Sequence, residues 1–344
     1  GLGARSLDEI VGRVDLLEAR EVVLPKKVTL DLSDVLRDPD PGRTRARRSR
    51  QRHNDRPEKV PPLDERLWLD AQAAVEQREP VQLGYPIHNG ERSVGARVSG
   101  EIARIHGEAG LPPGSLRAEF RGAAGQSFGA FTNHGMHLRL IGEAQDYVGK
   151  GMAGGEIAVL PPAGTTRAPD GNVILGNTVL YGATGGSLYA AGKAGERLCV
   201  RNSGARAVVE GCGDHGCEYM TGGVAVVLGR TGRNFGAGMS GGIAFVLDDD
   251  GDIAERINPG MVRVLELSGS VEEQLLKALL ERHLTLTGSP LAQALLGSWP
   301  EARKRFVRIE PHPSVEDATA REQQASQLEE AMLAQVQADA AAYA

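Results

Sequence analysis

Between about residues 94 and 268 the chain alternates short apolar runs of four to six residues with glycine-rich turns. If the runs begin at Leu116, Met136, Glu156, Val173, Ser187, Arg206, Val224 and Ile243, the steps are 20, 20, 17, 14, 19, 18 and 19 residues. Runs of this length between turn residues predict strands, and a spacing near 19 predicts a repeated unit. The flanks read differently. Ser6 and Glu9 form a capping box, and Leu7, Ile10, Val11 and Val14 follow at helical spacing, so a short amphipathic helix is predicted within residues 1–20. Residues 63–79 predict a second helix with Leu63, Leu67 and Ala71 on its core side. Residues 271–309 return to helix, as VEEQLLKALLERHL and then, after Gly288-Ser289-Pro290, LAQALLGSW. The tail from residue 315 is rich in Ala, Gln and Glu without a strong apolar stripe, which predicts an exposed or frayed helix. The expected organisation is an N-terminal helical and extended segment (1–93), a glycine-rich strand region (94–268), and C-terminal helices with a tail (269–344).

Composition sharpens this picture. Aromatic residues make up 4% of the 344 positions while glycine occupies 45. Glycine costs roughly 1 kcal/mol per helical position relative to alanine, so so many of them point to turns or to backbone packed on backbone. Arg43, Arg45, Arg47, Arg48, Arg50, Arg52 and Arg56 crowd among Pro, Asp and Ser with no apolar period, which predicts a solvated loop over about 40–60. The sharper reading of that loop is a contact for an acidic partner. The net charge of −6, with both signs mixed, argues against a broad nucleic-acid surface. No run of 18 apolar residues and no signal-peptide pattern are present, so no membrane partner is expected. Cys199, Cys212 and Cys217 are too few and odd in number for a disulfide framework, which fits a reducing cytoplasm. Without an initiator Met, the chain reads as a fragment or processed product.

The spacing GxGxxG occurs at Gly149-Gly151-Gly154, Gly211-Gly213-Gly216 and Gly236-Gly238-Gly241. A dinucleotide loop of that spacing must be followed by a helix of about ten or more residues and an acidic residue about 20 positions on. After Gly242 the chain reads IAFVLDDDGD, and after Gly155 it reads EIAVLPPAG, both too short for that helix. A small residue and a Gly pair recur in MAGG, ATGG, MTGG and MSGG, each before a short apolar run. The pattern suits a β-solenoid, in which stacked turns leave no room for a Cβ and each coil buries its apolar face on the next. The glycines assigned to this architecture are Gly149, Gly151, Gly154, Gly155, Gly182, Gly185, Gly186, Gly222, Gly223, Gly236, Gly238, Gly241 and Gly242. Gly110 stands outside the repeated blocks.

The strings GEAQDYVGKGMAGGEIAVLPP, GNTVLYGATGGSLYAAGKAGERLCVRNSGA, VVEGCGDHGCEYMTGG and GRTGRNFGAGMSGG closely resemble the C-terminal domain of the glutamate synthase large subunit. The stretches RSLDEIVGRVDLLE, RSVGARVSGEIARIHG and FRGAAGQSFGAF resemble the same family in the same order, and the likeness covers roughly residues 4–310. It implies a mainly β fold, a right-handed parallel β-helix of GXGXG-type repeats flanked by helices. It also implies a parent enzyme that converts glutamine and 2-oxoglutarate to two glutamates. That parent uses FMN, a 3Fe-4S cluster, and NADPH or ferredoxin. The implied partners are the glutaminase, central and flavin-binding domains of the same large subunit, and a small subunit. The β-helix itself would be structural. This chain starts at Gly1 and offers neither a nucleophilic first cysteine nor a cysteine triplet for a cluster, so no catalytic, cofactor or metal residue carries over.

Other constellations read as turns. Cys212, His215 and Cys217 fall within six residues but lack the paired units of a structural zinc site. Asp248-Asp249-Asp250-Gly251-Asp252 resembles a calcium loop with its glycine at the wrong position. Asn133, His134 and Asp146 have no sequence partner. The alternative function is a free-standing β-helix binding protein or polymer-acting enzyme, but Tyr181, Tyr189 and Tyr219 are too scattered to line a groove. A formylmethanofuran dehydrogenase subunit has similar repeats; the flanking helices favour glutamate synthase.

Overall fold

The computed structural model describes residues 2–19, 31–45, 61–165, 172–267, 269–313 and 318–342. The chain divides into two compact units, Gly1–Val60 with Gly164–Ala168, and Pro61–Ala163 with Pro169–Ala344. In the first, the helix expected within residues 1–20 is reduced to 3-10 turns at Leu7–Glu9 and Val14–Leu16. A four-residue helix α1 spans Ser33–Leu36. Ser6 caps nothing, and the Glu9 carboxylate accepts the Arg5 N–H at 3.0 Å instead. Gly12 at φ +72° breaks the run, and Leu7 and Val11 remain exposed. With no apolar stripe buried, nothing offsets the cost of nucleating a helix. Of the arginines expected in a loop at about 40–60, Arg47, Arg48, Arg50, Arg52 and Arg56 lie outside the described residues.

The second unit opens with α2 (Leu63–Gln72), extended by a π turn at Ala73–Gln77, and buries Leu63, Leu67 and Ala71. Helix α3 (Ala96–His106) falls in a stretch read as strands, with Val98 and Ile102 one turn apart and fully buried. Ten strands form one path: β1 (Val81–Ile87), β2 (Leu116–Ala124), β3 (Met136–Ala144), β4 (Ala153–Leu160), β6 (Gly185–Ala190), β8 (Ser203–Val209), β9 (Thr221–Val227), β10 (Gly241–Leu247), β12 (Phe306–Pro311) and β11 (Val262–Glu266). Two short strands, β5 (Val173–Leu175) and β7 (Lys193–Ala194), pair off that path. Pairing is parallel from β1 to β10, and β12 then runs antiparallel to both β10 and β11.

The right-handed parallel β-helix expected from the sequence is therefore replaced by a mixed α/β fold with one twelve-stranded, mostly parallel sheet that does not close on itself. The repeat is real: Leu116 pairs with Met136, Glu156 with Ser187, Ser187 with Arg206, and Val224 with both Arg206 and Ile243. Each repeat, however, commits one run to the sheet and spends most of its return in turns, and the helices lie before and after the repeats. A strand period alone does not distinguish an open parallel sheet from a closed coil.

Both faces of the sheet are buried, which is why its strands read as continuous apolar runs. One layer, including Leu138, Ile157, Leu188, Val209, Val227 and Val246, packs under the turns. The other, including Val208, Val226 and Phe245, packs against Leu275, Leu276, Leu279 and Leu280 of α4 (Ser270–Thr287) and against α5 (Pro290–Gly297), α6 (Trp299–Ala302) and α7 (Ala318–Ala342). Gly288, at φ +64°, ends α4, and the Ser289 hydroxyl caps α5 by accepting the Ala292 N–H. Strand β12 lies inside the stretch read as helix; its Phe306 and Ile309 are buried, but six residues are too few for a clear period.

Candidate functional site

Six turns at one end of the strands share a backbone pattern. Residues 127/129/131, 147/149/151, 178/180/182, 197/199/201, 215/217/219 and 234/236/238 are all left-handed, with φ between 52° and 71°. In the first five triplets the first N–H donates to the following turn, as Tyr147 does to the Asn177 carbonyl at 2.8 Å, and the third does the same. In the last five the middle N–H donates backward to the preceding turn, as Cys199 does to the Val179 carbonyl at 2.8 Å. Successive turns are thus tied to one another by backbone alone. Only Gly129, Gly149, Gly151, Gly182, Gly236 and Gly238 are glycines among these positions; the others include Phe131, Tyr147, Leu180 and Tyr219. A left-handed non-glycine residue costs on the order of 1 kcal/mol, so the hydrogen-bonded stack must hold the backbone there.

What selects glycine is the neighbour above. A Cβ on Gly151 would stand 2.7 Å from the Phe131 ring, and one on Gly238 would stand 2.5 Å from the Tyr219 ring. At Gly149 the Leu180 side chain intrudes at 2.7 Å, and at Gly236 Val262 approaches to 3.2 Å. Beside Gly182 there is open space. The glycine pairs sit at the first residues of strands rather than in turns before them. Gly185, Gly222 and Gly241 present the place of a Cβ to the carbonyl oxygens of Ala153, Ser203 and Thr221 at 2.5, 2.3 and 2.2 Å. Gly154 meets the His134 backbone nitrogen at 2.7 Å. Gly155, Gly186, Gly223 and Gly242 are left-handed, at φ +70° to +85°, where register shifts interrupt the ladders. Two of the three GxGxxG matches are therefore one structural element, a turn followed by a strand start. The third, Gly211-Gly213-Gly216, is offset from it; Gly216 faces the Phe235 ring at 2.7 Å.

The remaining candidates fall into turns and ion pairs. Asp214 accepts the Arg233 N–H at 2.8 Å, and this hydrogen bond holds its carboxyl below the usual range. His215 Nε2 lies 3.3 Å from the Asn234 amide. Asp146 accepts the Asn177 N–H at 2.7 Å, and Asn133 accepts that of His134 at 2.8 Å. The acidic loop at 248–252 is neutralised by arginines: Asp249 pairs with Arg305, Asp250 with Arg230, and Asp252 with Arg256. Cys199, Cys212 and Cys217 are buried free thiols. Burial pushes the Cys212 thiol up to about 12, and a hydrogen bond with Cys199 together with burial pushes Cys217 well above its ordinary value. Among the described residues no three His, Cys, Asp or Glu side chains are arranged to hold a metal ion. The glycine loops differ from a dinucleotide cradle, because atoms of the neighbouring turn or strand stand where a Cβ would be, at 2.7 Å for Gly149, Gly151 and Gly154.

Two arrangements left no local signal in the sequence. Arg282 on α4 grips Glu156 on β4 through Nε and Nη2 at 2.9 and 2.8 Å, and His137 Nδ1 lies 2.8 Å from the same carboxylate. Burial pushes the Glu156 carboxyl up, but the bonds to His137 and Arg282 more than offset it and hold it below its usual range. The other is an exposed aromatic edge on the turn stack. Phe131, Tyr147 and Tyr219 are 53%, 37% and 54% exposed, Lys150 lies over Tyr147, and Arg201 lies over Tyr219.

A family model described as the GXGXG motif matches residues 64–312. The chain belongs to that family. It is 48% identical over 320 residues to ferredoxin-dependent glutamate synthase 2 of Synechocystis, covering 92% of this chain and 20% of that protein. With the glutamate synthase [NADPH] large chain of Bacillus subtilis it shares 45% over 318 residues, 90% of this chain and 20% of that one. With glutamate synthase [NADH] of Schizosaccharomyces pombe it shares 43% over 330 residues, 96% of this chain and 15% of that one. The chain thus spans a fifth or less of these curated relatives. The G-x-G spacings at Gly149–Gly151 and Gly236–Gly238 fall on the second and third left-handed positions of a turn. No described helix is long and apolar enough to cross a membrane.

Proposed function

We propose that this chain is the C-terminal GXGXG domain of a glutamate synthase large subunit and serves as a non-catalytic scaffold. The observation that carries the reading is the filling of the GxGxxG glycines by neighbouring protein atoms: at Gly151 the Phe131 ring stands 2.7 Å from the place of a Cβ, and at Gly241 a carbonyl oxygen stands 2.2 Å from it. A loop built this way supports packing and leaves no cradle for a ligand. Glutamine hydrolysis and reductive transfer to 2-oxoglutarate then belong to the glutaminase and flavin-binding domains, with FMN and the 3Fe-4S cluster held there. Relatives named for ferredoxin, NADPH and NADH match at 48, 45 and 43% identity, so the choice of electron donor is made outside this region. Segments 1–93, 94–268 and 269–344 are its N-terminal, glycine-rich and C-terminal parts, and three free thiols suit the reducing cytoplasm.

The exposed edge of Phe131, Tyr147 and Tyr219 is the face offered to a neighbouring domain, since large apolar surface of this kind marks interaction sites. The test is the pair of substitutions Phe131→Ser and Tyr219→Ser in the full-length synthase. Glutamine hydrolysis should persist while glutamate formed per glutamine consumed falls, with the melting temperature of the domain unchanged. Full coupling in the variant, or glutamate formation by the 344-residue chain alone, would overturn the reading.

A further inference from the structure

A cavity of about 730 Å³ opens where the strand starts meet α7, within the size range of small-molecule sites. Gly155, Gly185, Gly186 and Gly204 are among the residues that line it. The charged groups lining it are Arg78, Arg206 and Asp339, with the His134 ring beside them: two guanidinium groups face one carboxylate. Arg206, on β8, has a side chain only 6% exposed. Its Nε donates to the Ser187 hydroxyl at 2.9 Å and its Nη2 to Asp339 at 2.6 Å. Its Nη1 bonds to nothing among the described residues.

Glu156 and Arg206 occupy one row of the sheet, each in register with Ser187 between them. The Glu156 charge is met by Arg282 from the middle of α4. Among the described residues the Arg206 charge is met by Asp339 of α7. The Asp339 side chain is itself 23% exposed, so its carboxylate is open to solvent while the guanidinium beneath it is not. Its other oxygen accepts from the Gln335 side-chain amide at 2.8 Å, one turn back on the same helix.

We propose that this cavity binds a small carboxylate anion, anchored on Arg206 in competition with Asp339. A carboxylate from solution takes the guanidinium, the Asp339 side chain turns out into solvent, and Arg78 adds a second positive charge. This site does not depend on the scaffold reading, and either can fail alone.

The experiment is calorimetric titration of the 344-residue chain with sodium succinate at constant ionic strength, with sodium phosphate and an Asp-rich peptide as separate arms. Saturable one-to-one binding of succinate is expected. Asp339→Asn should tighten it by about fivefold or more, because the internal competitor is gone. Arg206→Gln should weaken it by about tenfold or more, through loss of the charge-assisted bonds. If Arg206→Gln fails to fold, Asp339→Asn decides. Absence of saturable binding in both the parent and Asp339→Asn overturns the proposal, as does undiminished affinity in a folded Arg206→Gln variant. Phosphate binding as tightly as succinate shows a general anion site instead, and binding of the peptide alone shows a protein-docking site; either result also overturns it.

Discussion

Gly241→Ala adds one methyl group where the structure has no space for it. The new Cβ would lie 2.2 Å from the Thr221 carbonyl oxygen, whereas ordinary contact begins at 3.4 Å. Gly241 itself is not left-handed, so the cost is steric and not conformational. Thr221 cannot retreat easily. Its N–H donates to the Asn202 carbonyl at 2.8 Å, and the next residue, Gly222, already abuts the Ser203 carbonyl. Relief must therefore shift β9 and β10 together. Overpacking of this kind costs about 1–3 kcal/mol, which lowers the melting temperature by roughly 3–10 °C in a unit of this size. The proper reference is Gly182→Ala, because φ there is +63° but nothing lies within 4 Å. Only the left-handed backbone is penalised, by about 1 kcal/mol. Gly110, which stands outside the repeated blocks, is no neutral reference, since a Cβ there would meet His134 at 2.7 Å. Thermal melting by circular dichroism, with and without NADPH, compares the variants. The reasoning fails if Gly241→Ala melts no lower than Gly182→Ala. It fails equally if NADPH stabilises the parent chain and that stabilisation is lost in Gly241→Ala.

Glu156→Gln leaves the buried Arg282 without its charge partner and should cost about 3–5 kcal/mol in urea unfolding. Because the Glu156 carboxyl is held below its usual range in the folded chain, its stabilisation is complete above the unfolded value of about 4.3 and is lost as pH falls through the lower folded value. The parent should therefore lose more stability than Glu156→Gln between about pH 5 and 3, and identical slopes would rule this out. Cys212 and Cys217 should resist iodoacetamide at pH 8 in the folded chain and react only in denaturant, as mass spectrometry would show; rapid labelling of the native protein would contradict the buried, neutral thiols. Gly216→Ala should destabilise because a Cβ would press on Phe235 at 2.7 Å and on Cys212 Sγ at 3.1 Å. Phe235→Leu should relieve part of that loss, so the double mutant departs from additivity by about 0.5 kcal/mol or more.

The repeat and its strand starts were legible because they are local: five apolar residues between turn residues, recurring near 19, placed Glu156, Ser187, Arg206, Val224 and Ile243 in true register. Helix α4, with its Gly288 stop and the Ser289 cap of α5, was legible for the same reason. The sheet's open form was not, because period says nothing about how the return segment runs. Left-handed residues such as Leu180, Cys217 and Tyr219 carry no compositional mark, so the turns could be located only where glycine happened to be needed. At Gly151 and Gly238 glycine answers to the bulk of Phe131 and Tyr219, each about a repeat away, whereas at Gly182 no neighbour demands it. The Arg282–Glu156 and Arg206–Asp339 pairs span 126 and 133 residues, beyond the reach of any local pattern.

The antiparallel β12 beside β10 bears on how such an array changes length. A parallel sheet of near-identical repeats leaves its last strand as a template for one more, and in many molecules for a strand from another chain. Here the template is occupied by a strand that arrives from the opposite direction after α4–α6, paired from Ala244 to Leu247. A duplicated repeat added after β10 would have to displace that strand and the helices behind it. Insertion upstream, between two turns that already match, disturbs neither. The array of parallel repeats can therefore lengthen from within but not past β10, whose outer edge β12 already holds.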